Sequence, residues 1–312
     1  MPKDLVSIIV PAFRAERFLS ATLKTVEHQT HRDWELLITE DASNDSTEDL
    51  VAAFRERNSK HRVVFTRHNV NSGPSASRNT GIEQSRGSYI ALLDADDLWS
   101  PDHLDISVRT LRDTQSDVVY STTLMFDDET GALLGLWGPS MAECSEFPNG
   151  LYKRNFIVPS STVLRRSVCE TVGLFDTNPN IQGCEDIDFW LRCVESGLKF
   201  QHITGLHCMY RKGHEEAATT RIGRLLPRQV AVLEKHFGMS GIPKPVQRDG
   251  LSRFKFLASL AQVRHDQIYA ANTFFGAWRL KPIRFPFSAA MTLLIACAKP
   301  SSVKSFLANL RP

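Results

Sequence analysis

Carboxylates gather at three points of the 312-residue chain, each just after or at the start of an apolar run. The first is Asp94-Ala95-Asp96-Asp97. Three acids within four residues repel one another, and a cation or a positively charged side chain among them relieves that repulsion. All-oxygen sets of this kind suit Mg2+ or Mn2+, which bind between carboxylates and substrate phosphates. The competing reading has Asp96 and Asp97 capping the helix after Pro101 or facing solvent. The second group is Glu40-Asp41, where Asp41 also suits a turn or a helix cap. The third is Glu185-Asp186-Ile187-Asp188. Ile187, Trp190, Leu191 and Val194 fall at i, i+3, i+4 and i+7, so these acids open an amphipathic helix. The helix dipole favours acids in a first turn, and a carboxylate held there beside a cleft is also suited to general-base work.

Two further segments carry polar chemistry. Asn71–Gly81 is a glycine- and serine-rich loop entering a helix, with Arg78 one turn inside. Its backbone N–H groups and guanidinium can hold phosphate oxygens, although an ordinary loop and N-cap explain it equally. It has neither the P-loop lysine nor a G-x-G-x-x-G pattern. Tyr210-Arg211-Lys212-Gly213-His214 follows a strand-like stretch, and a lone histidine is most often structural or superficial.

The elements that must position these residues alternate. Leu5–Val10, Glu35–Glu40, Arg62–Arg67 and Tyr89–Leu93 read as strands. Between them lie helical spacing at Phe18–Val26, a capping box at Ser46 and Asp49 opening a helix through Phe54, and a helix over about Ser75–Ser85. Such alternation predicts right-handed crossovers, a mostly parallel α/β sheet with helices on both faces, and ligand binding beyond the strands' carboxyl ends. Further on, the pattern predicts a helix to Thr114, strands at Val118–Thr122 and Thr162–Arg165, a hairpin around Asp127–Gly131 and a helix near Glu185–Glu195. A boundary near residue 220 divides a catalytic domain, 1–220, from a basic helical region, 221–312.

Charge follows the same division. Residues 1–200 carry 20 Lys and Arg against 30 Asp and Glu, a net of −10, whereas 201–312 carry 17 against 5, a net of +12. The basic part interleaves Arg248, Arg253, Lys255, Arg264, Arg279, Lys281 and Arg284 with Phe254, Phe256, Phe274, Phe275, Trp278, Phe285 and Phe287. That mixture fits either an anionic membrane surface or a helical subdomain with packed aromatics and solvated cations. No recognised module makes the charge a nucleic-acid site. The longest uncharged stretch, Phe285–Ala298, has 14 residues, short of the roughly 20 that a spanning helix needs. No C-x-x-C pair occurs among the six cysteines, and the N-terminus has no secretory leader pattern. A cytoplasmic protein, peripheral on the inner membrane face if the basic region binds lipid, is the expectation.

Taken in order, VSIIVPAFRAERFLSATLKTVEHQTHRDWELLITEDASNDST, NSGPSASRNTGIEQSRGSYIALLDADDLWSPDHL, EDIDFWLR and YRKGH resemble family 2 glycosyltransferases of the GT-A fold, over residues 5 to about 216. The resemblance implies inverting transfer of a sugar from a nucleotide-diphosphate donor, UDP-sugar favoured, to a saccharide or lipid-linked acceptor hydroxyl in polysaccharide or glycolipid assembly. It implies that Pro11, Ala12, Asp41, Arg78, Asp94 and Asp96 bind the donor. A divalent Mn2+ or Mg2+ would be met by Asp96, Asp97 and His214, and Asp186 would be the catalytic base. Glu185 and Arg211 are secondary candidates. Glu40 departs from the family's commoner Asp at that position. A nucleotidyltransferase, which would leave the Glu-Asp helix unexplained, and a non-catalytic nucleotide-sugar-binding protein are the rival readings.

Overall fold

The strands β1 (Val6–Ala12), β2 (Trp34–Glu40), β3 (Val63–Arg67) and β4 (Tyr89–Leu92) follow the apolar runs, and α1 (Leu19–Glu27), α2 (Thr47–Arg57) and α3 (Gly73–Gln84) carry the chain back between them. Every residue of β1, β2 and β4 except Pro11 is buried. Both faces are covered, which is why these strands read as continuous apolar runs and not as alternation. The computed structural model describes residues 4–213, 222–262 and 267–281.

After β4 come β5 (Leu98–Trp99), α4 (His103–Asp113), β6 (Val118–Asp127), β7 (Leu133–Trp137), α5 (Met141–Ser145), β8 (Thr162–Arg165), α6 (Arg166–Val172), α7 (Glu185–Glu195) and β9 (Phe200–Lys212). The sheet order is β3-β2-β1-β4-β8-β6-β9-β5, with β7 paired to β6. Neighbours β3, β2, β1 and β4 are parallel, as are β6 and β9; β8 runs antiparallel to both β4 and β6. Six strands therefore point one way, and the sheet is mostly parallel with flanking helices.

Local chemistry departs from the sequence expectation at two places. Ser46 does not form a capping box: its hydroxyl donates to Glu16 Oε2 at 2.9 Å, and Asp45 Oδ1 accepts the Thr47 N–H instead. β6 extends five residues past Thr122, because β9 and β7 pair with its second half. The expected hairpin is present, its turn held by Asp127 Oδ1, which accepts from Thr130 N–H and Oγ1.

The chain forms two compact units, one of residues 1–145 with 155–220 and one of residues 146–154 with 221–312. In the second, α8 (Ile222–Lys235), α9 (Lys244–Gln262) and α10 (Gln267–Leu280) gather around Tyr152, whose hydroxyl donates to Leu233 O. A Cβ at Gly250 would sit 2.2 Å from Tyr152 O, so only glycine permits that approach. Phe254 and Phe274 are core residues of this unit, and Lys255 and Lys281 pair with Glu234 and Asp249. Arg264, Arg284, Phe285 and Phe287 lie outside the described residues. Among the described residues no helix is long and apolar enough to cross a membrane.

At the amino ends of the strands, one buried acid ties three elements together. Glu35, 1% exposed, accepts from Ser7 Oγ at 2.6 Å, from the N–H groups of Arg86 and Gly87, and from Arg62. Burial alone would raise its pKa, but the donated hydrogen bonds and Arg62 outweigh burial and lower it. A carboxylate whose pKa is lowered on folding stabilises the fold above its unfolded pKa and loses that contribution as pH falls through the folded value. Glu35→Gln should cost about 2 kcal/mol at pH 7, the worth of hydrogen bonds to a charged group. In urea unfolding from pH 7 to pH 3 the variant and wild-type stabilities should converge toward the acid end. Parallel curves would refute the role.

Candidate active site

Because β1, β2, β4, β6 and β9 all point one way, their carboxyl ends bring Ala12, Asp41, the Asp94–Asp97 turn, Asp128 and Arg211 to one rim, where α/β sheets bind ligands. Pro11 is half-buried and Ala12 buried; Ala12 O accepts the Asp41 N–H at 2.8 Å, joining the ends of β1 and β2. Asp41 lies where the sequence puts it, but its carboxylate is already engaged. Oδ1 meets His68 Nδ1 at 2.8 Å and Ser72 N–H at 2.9 Å, while Oδ2 accepts from Gly73 N–H at 2.7 Å. The start of α3, which the sequence offers to a phosphate, is thus capped by Asp41. Glu40 is fully buried and serves the fold, accepting from Ser43 and from Arg67 Nε at 2.8 Å.

Arg78 projects from α3 into the rim and is 4% exposed. Its Nη2 donates to Asp94 Oδ1 at 2.7 Å and its Nη1 to Glu185 Oε1 at 2.9 Å. One guanidinium therefore links the acidic turn to the start of α7. Burial opposes the charge, but Asp94 and Glu185 more than offset it and raise the Arg78 pKa. The Asp94 carboxyl is itself raised, by burial and by Asp96, with Arg78 pulling the other way.

The turn is pinned along its backbone. Asp94 N–H donates to Ser160 Oγ at 3.0 Å, Thr22 Oγ1 to Ala95 O at 2.9 Å, and Arg211 Nε to Asp96 O at 2.8 Å. Arg211 also gives Nη1 to Asp128 and its N–H to Asp97 Oδ1 at 3.1 Å, so β9 clamps the turn from the side. Asp96 is half-buried. Asp97 is wholly buried, and its Oδ2 has no hydrogen-bond partner among the described residues. Burial first, then the Asp96 and Asp94 charges, drive the Asp97 pKa well up. An unsatisfied buried oxygen beside two more carboxylates is a donor set that fits a hard divalent ion. Among the described residues no group of three acids, histidines or cysteines converges as a cage for an ion. His214 lies outside the described residues.

The acids of α7 sort into three environments. Glu185 holds Arg78, and Asp188, wholly buried, pairs with Arg192 one turn on at 3.0 Å. Asp186 is half-buried: its Oδ1 accepts Ile187 N–H at 2.8 Å and its Oδ2 accepts Asn155 Nδ2 at 2.7 Å. Burial, then the neighbouring Glu185 charge, push its pKa up to about 7. Asn155, which no sequence motif signals, is the rim residue that reading the chain alone misses.

A mostly parallel sheet whose carboxyl rim carries a D-x-D turn facing an acidic helix start defines the GT-A class of fold. The chain belongs to glycosyl transferase family 2, whose model matches residues 7–173, and it is a glycosyltransferase. It is 34% identical over 208 residues, 67% of this chain and 75% of the relative, to the Escherichia coli UDP-Glc:alpha-D-GlcNAc-diphosphoundecaprenol beta-1,3-glucosyltransferase WfgD. The fold is shared with S. aureus TarS 1-349, solved with UDP-GlcNAc, at a TM-score of 0.70 and 15% identity, covering 93% of this chain and 89% of that one. It is shared also with a mannosyltransferase from Pyrobaculum calidifontis, solved with GDP-Man and Mn2+, at 0.63 and 18%, covering 96% and 83%.

Removing the cation from between Asp94 and Glu185 leaves two acids crowded and unpaired. Arg78→Ala should lower stability by about 3–5 kcal/mol, the range for breaking a buried pair. Arg78→Ala with Glu185→Gln together should lose less than the two single losses combined, because neither change then strands the other's partner. Strict additivity in urea unfolding would show that the bridge does not couple α3 to α7.

Proposed function

We propose that the chain transfers a sugar, with inversion, from a nucleotide-diphosphate donor to an acceptor hydroxyl, Asp186 being the general base. The observation that carries this reading is the placement of one half-buried carboxylate, its pKa pushed up to about 7, one residue from the Glu185–Arg78–Asp94 bridge. A base whose pKa lies near working pH combines a useful ionised fraction with a strong pull on the proton. In the reaction the acceptor oxygen bonds to the anomeric carbon as the bond to the diphosphate oxygen breaks, the electron pair leaving with the diphosphate. The hydroxyl proton passes to Asp186. A single displacement from the face opposite the leaving group inverts the centre.

Pro11, Ala12 and Asp41 line the nucleotide end, and Asp94 and Asp96 the diphosphate end, in this reading. Arg78, which fixes the Asp94 carboxylate, stands with it at the diphosphate end. Asp96, with Asp97 beneath it, would hold a divalent ion, and such an ion neutralises charge on the departing diphosphate. A UDP-sugar donor and a lipid-linked saccharide acceptor are supported by the names of WfgD and TarS, which state UDP-Glc, a diphosphoundecaprenol-linked sugar and UDP-GlcNAc. GDP-Man in the mannosyltransferase complex makes guanine the competing base, and the ring N–H that a carboxylate such as Asp41 accepts is common to both.

Two measurements test the reading. Asp186→Asn should leave nucleotide binding intact while cutting transfer about 10²–10⁴-fold. The wild-type rate should rise with pH through about 7 and level off above it, because only the ionised base accepts a proton. An equally active variant would remove Asp186 from the reaction. Separately, thermal unfolding with UDP or GDP, each with Mn2+ or chelator, should show stabilisation by one nucleotide only when metal is present. At 100 times its dissociation constant a ligand adds ~2.7 kcal/mol. Asp96→Ala should abolish the metal-dependent part; metal-independent binding in both proteins would rule out the ion.

A further inference from the structure

The segment 155–157 lies along one face of α7. Asp186 and Trp190 are one turn apart on that helix, so their side chains share a face. Asn155 meets the first at 2.7 Å, and Ile157 O accepts from the Nε1 of the second at 3.3 Å. The segment itself is fixed: Phe156 and Ile157 are wholly buried, and Asn155 Oδ1 accepts the Ile157 N–H at 3.2 Å. That last bond sets the orientation of the amide. With Oδ1 committed to a backbone donor, Nδ2 must face Asp186 as a donor.

We infer that Asn155 is a positioning residue for Asp186, locking the carboxylate's rotamer and favouring its ionised form; this rests on the reading of Asp186 as base. Each carboxylate oxygen takes one protein donor, Ile187 N–H on Oδ1 and Asn155 on Oδ2, and each keeps lone-pair capacity for an incoming hydroxyl. The charged groups facing Asp186 are Glu185 on its own helix and Arg78 from α3, and these act against each other. Asn155 is the neutral side-chain donor to it, beside the Ile187 backbone N–H. An amide can donate to the carboxylate but adds no charge to it. The base is thereby oriented without being driven to the low pKa that a second cation would impose.

The test uses the full chain with Asn155→Ala, and Asn155→Asp as a near-isosteric second variant that also lacks the donor. Carbon-13 NMR of carboxyl-labelled Asp, with Asp186→Asn assigning the signal, reads the Asp186 titration directly. The midpoint should move up by about one pH unit in Asn155→Ala, and further in Asn155→Asp, where an acid faces an acid. The acidic limb of the transfer rate should shift by the same amount. At pH 7 the rate falls about fivefold, recovering at high pH with donor KM unchanged. An unmoved midpoint, or a rate lowered equally at every pH, would overturn the inference and leave Asn155 a structural residue. Failure of the wild-type chain to transfer any sugar would sink the base reading instead, and the NMR midpoints would still decide whether Asn155 holds Asp186 ionised.

Discussion

Arg78 joins Asp94 at the end of β4 to Glu185 at the start of α7, and the carboxyl rim is arranged around that bridge. Asp94, Asp96, Asp97, Glu185 and Asp186 are five acids crowded onto one rim. Without a cation among them, neutral protonated carboxyls would be the less costly state. The buried guanidinium donates to both Asp94 and Glu185 and so ties the start of α7 to the turn. A buried ion pair of this kind is weak evidence for net stability. What it does supply is geometry: Glu185 on α7 and Asp94 after β4 are held by the two ends of one planar group.

The acidic turn uses the same economy of position. Its backbone is tied by Ser160, Thr22 and Arg211, each from a different element, so no side chain of the turn is needed to hold its own loop. Exposure is then graded: Asp97 wholly buried, Asp96 half-buried, Asp94 drawn to Arg78. Fold-supporting chemistry sits at the opposite rim, where Glu35 gathers Ser7, Arg62, Arg86 and Gly87. Both rims use buried acids. Glu35 is supplied with donors enough to lower its pKa, whereas Asp97 is left with an unsatisfied oxygen and a raised one. Saturated donors mark the acid that holds the fold together, and a buried oxygen without one is the exception that calls for a reason beyond the fold.

Strand runs such as β1 and β2 and the stripe on α7 are readable from sequence because burial is local and periodic; Glu185–Glu195 and Thr162–Arg165 form where the pattern puts them. Partner identity is not readable. Nothing in Thr162–Arg165 says that β8 lies antiparallel between β4 and β6. Asp41 is recognisable as a cap or turn residue, but the helix it caps starts 32 positions later. Ser46 and Asp49 match a capping box, yet Glu16 and Asp45 compete successfully for the same donors. Arg78 is marked for phosphates by its place in a loop, and its acidic partners come from β4 and α7. Asn155 carries no signal at all, since one amide between Lys153-Arg154 and Phe156-Ile157 has no periodicity to betray it.

The raised pKa of Asp186 follows from this same division of partners. On α7 three acids share a helix start, and a positive helix end would by itself lower all their pKa values. Asp188 lies deeper and is paired to Arg192; Glu185 takes Arg78. Asp186 is left with two neutral donors, partial burial and an acidic neighbour, so the balance falls on the side of a higher pKa. Had Arg78 met Asp186 and not Glu185, the paired cation would lower the Asp186 pKa and leave it a poorer candidate base. The cation therefore has to be close enough to organise the rim and bound to the wrong acid to quench it. The order Glu185 then Asp186, with the first buried and the second half-buried, meets both requirements in adjacent residues.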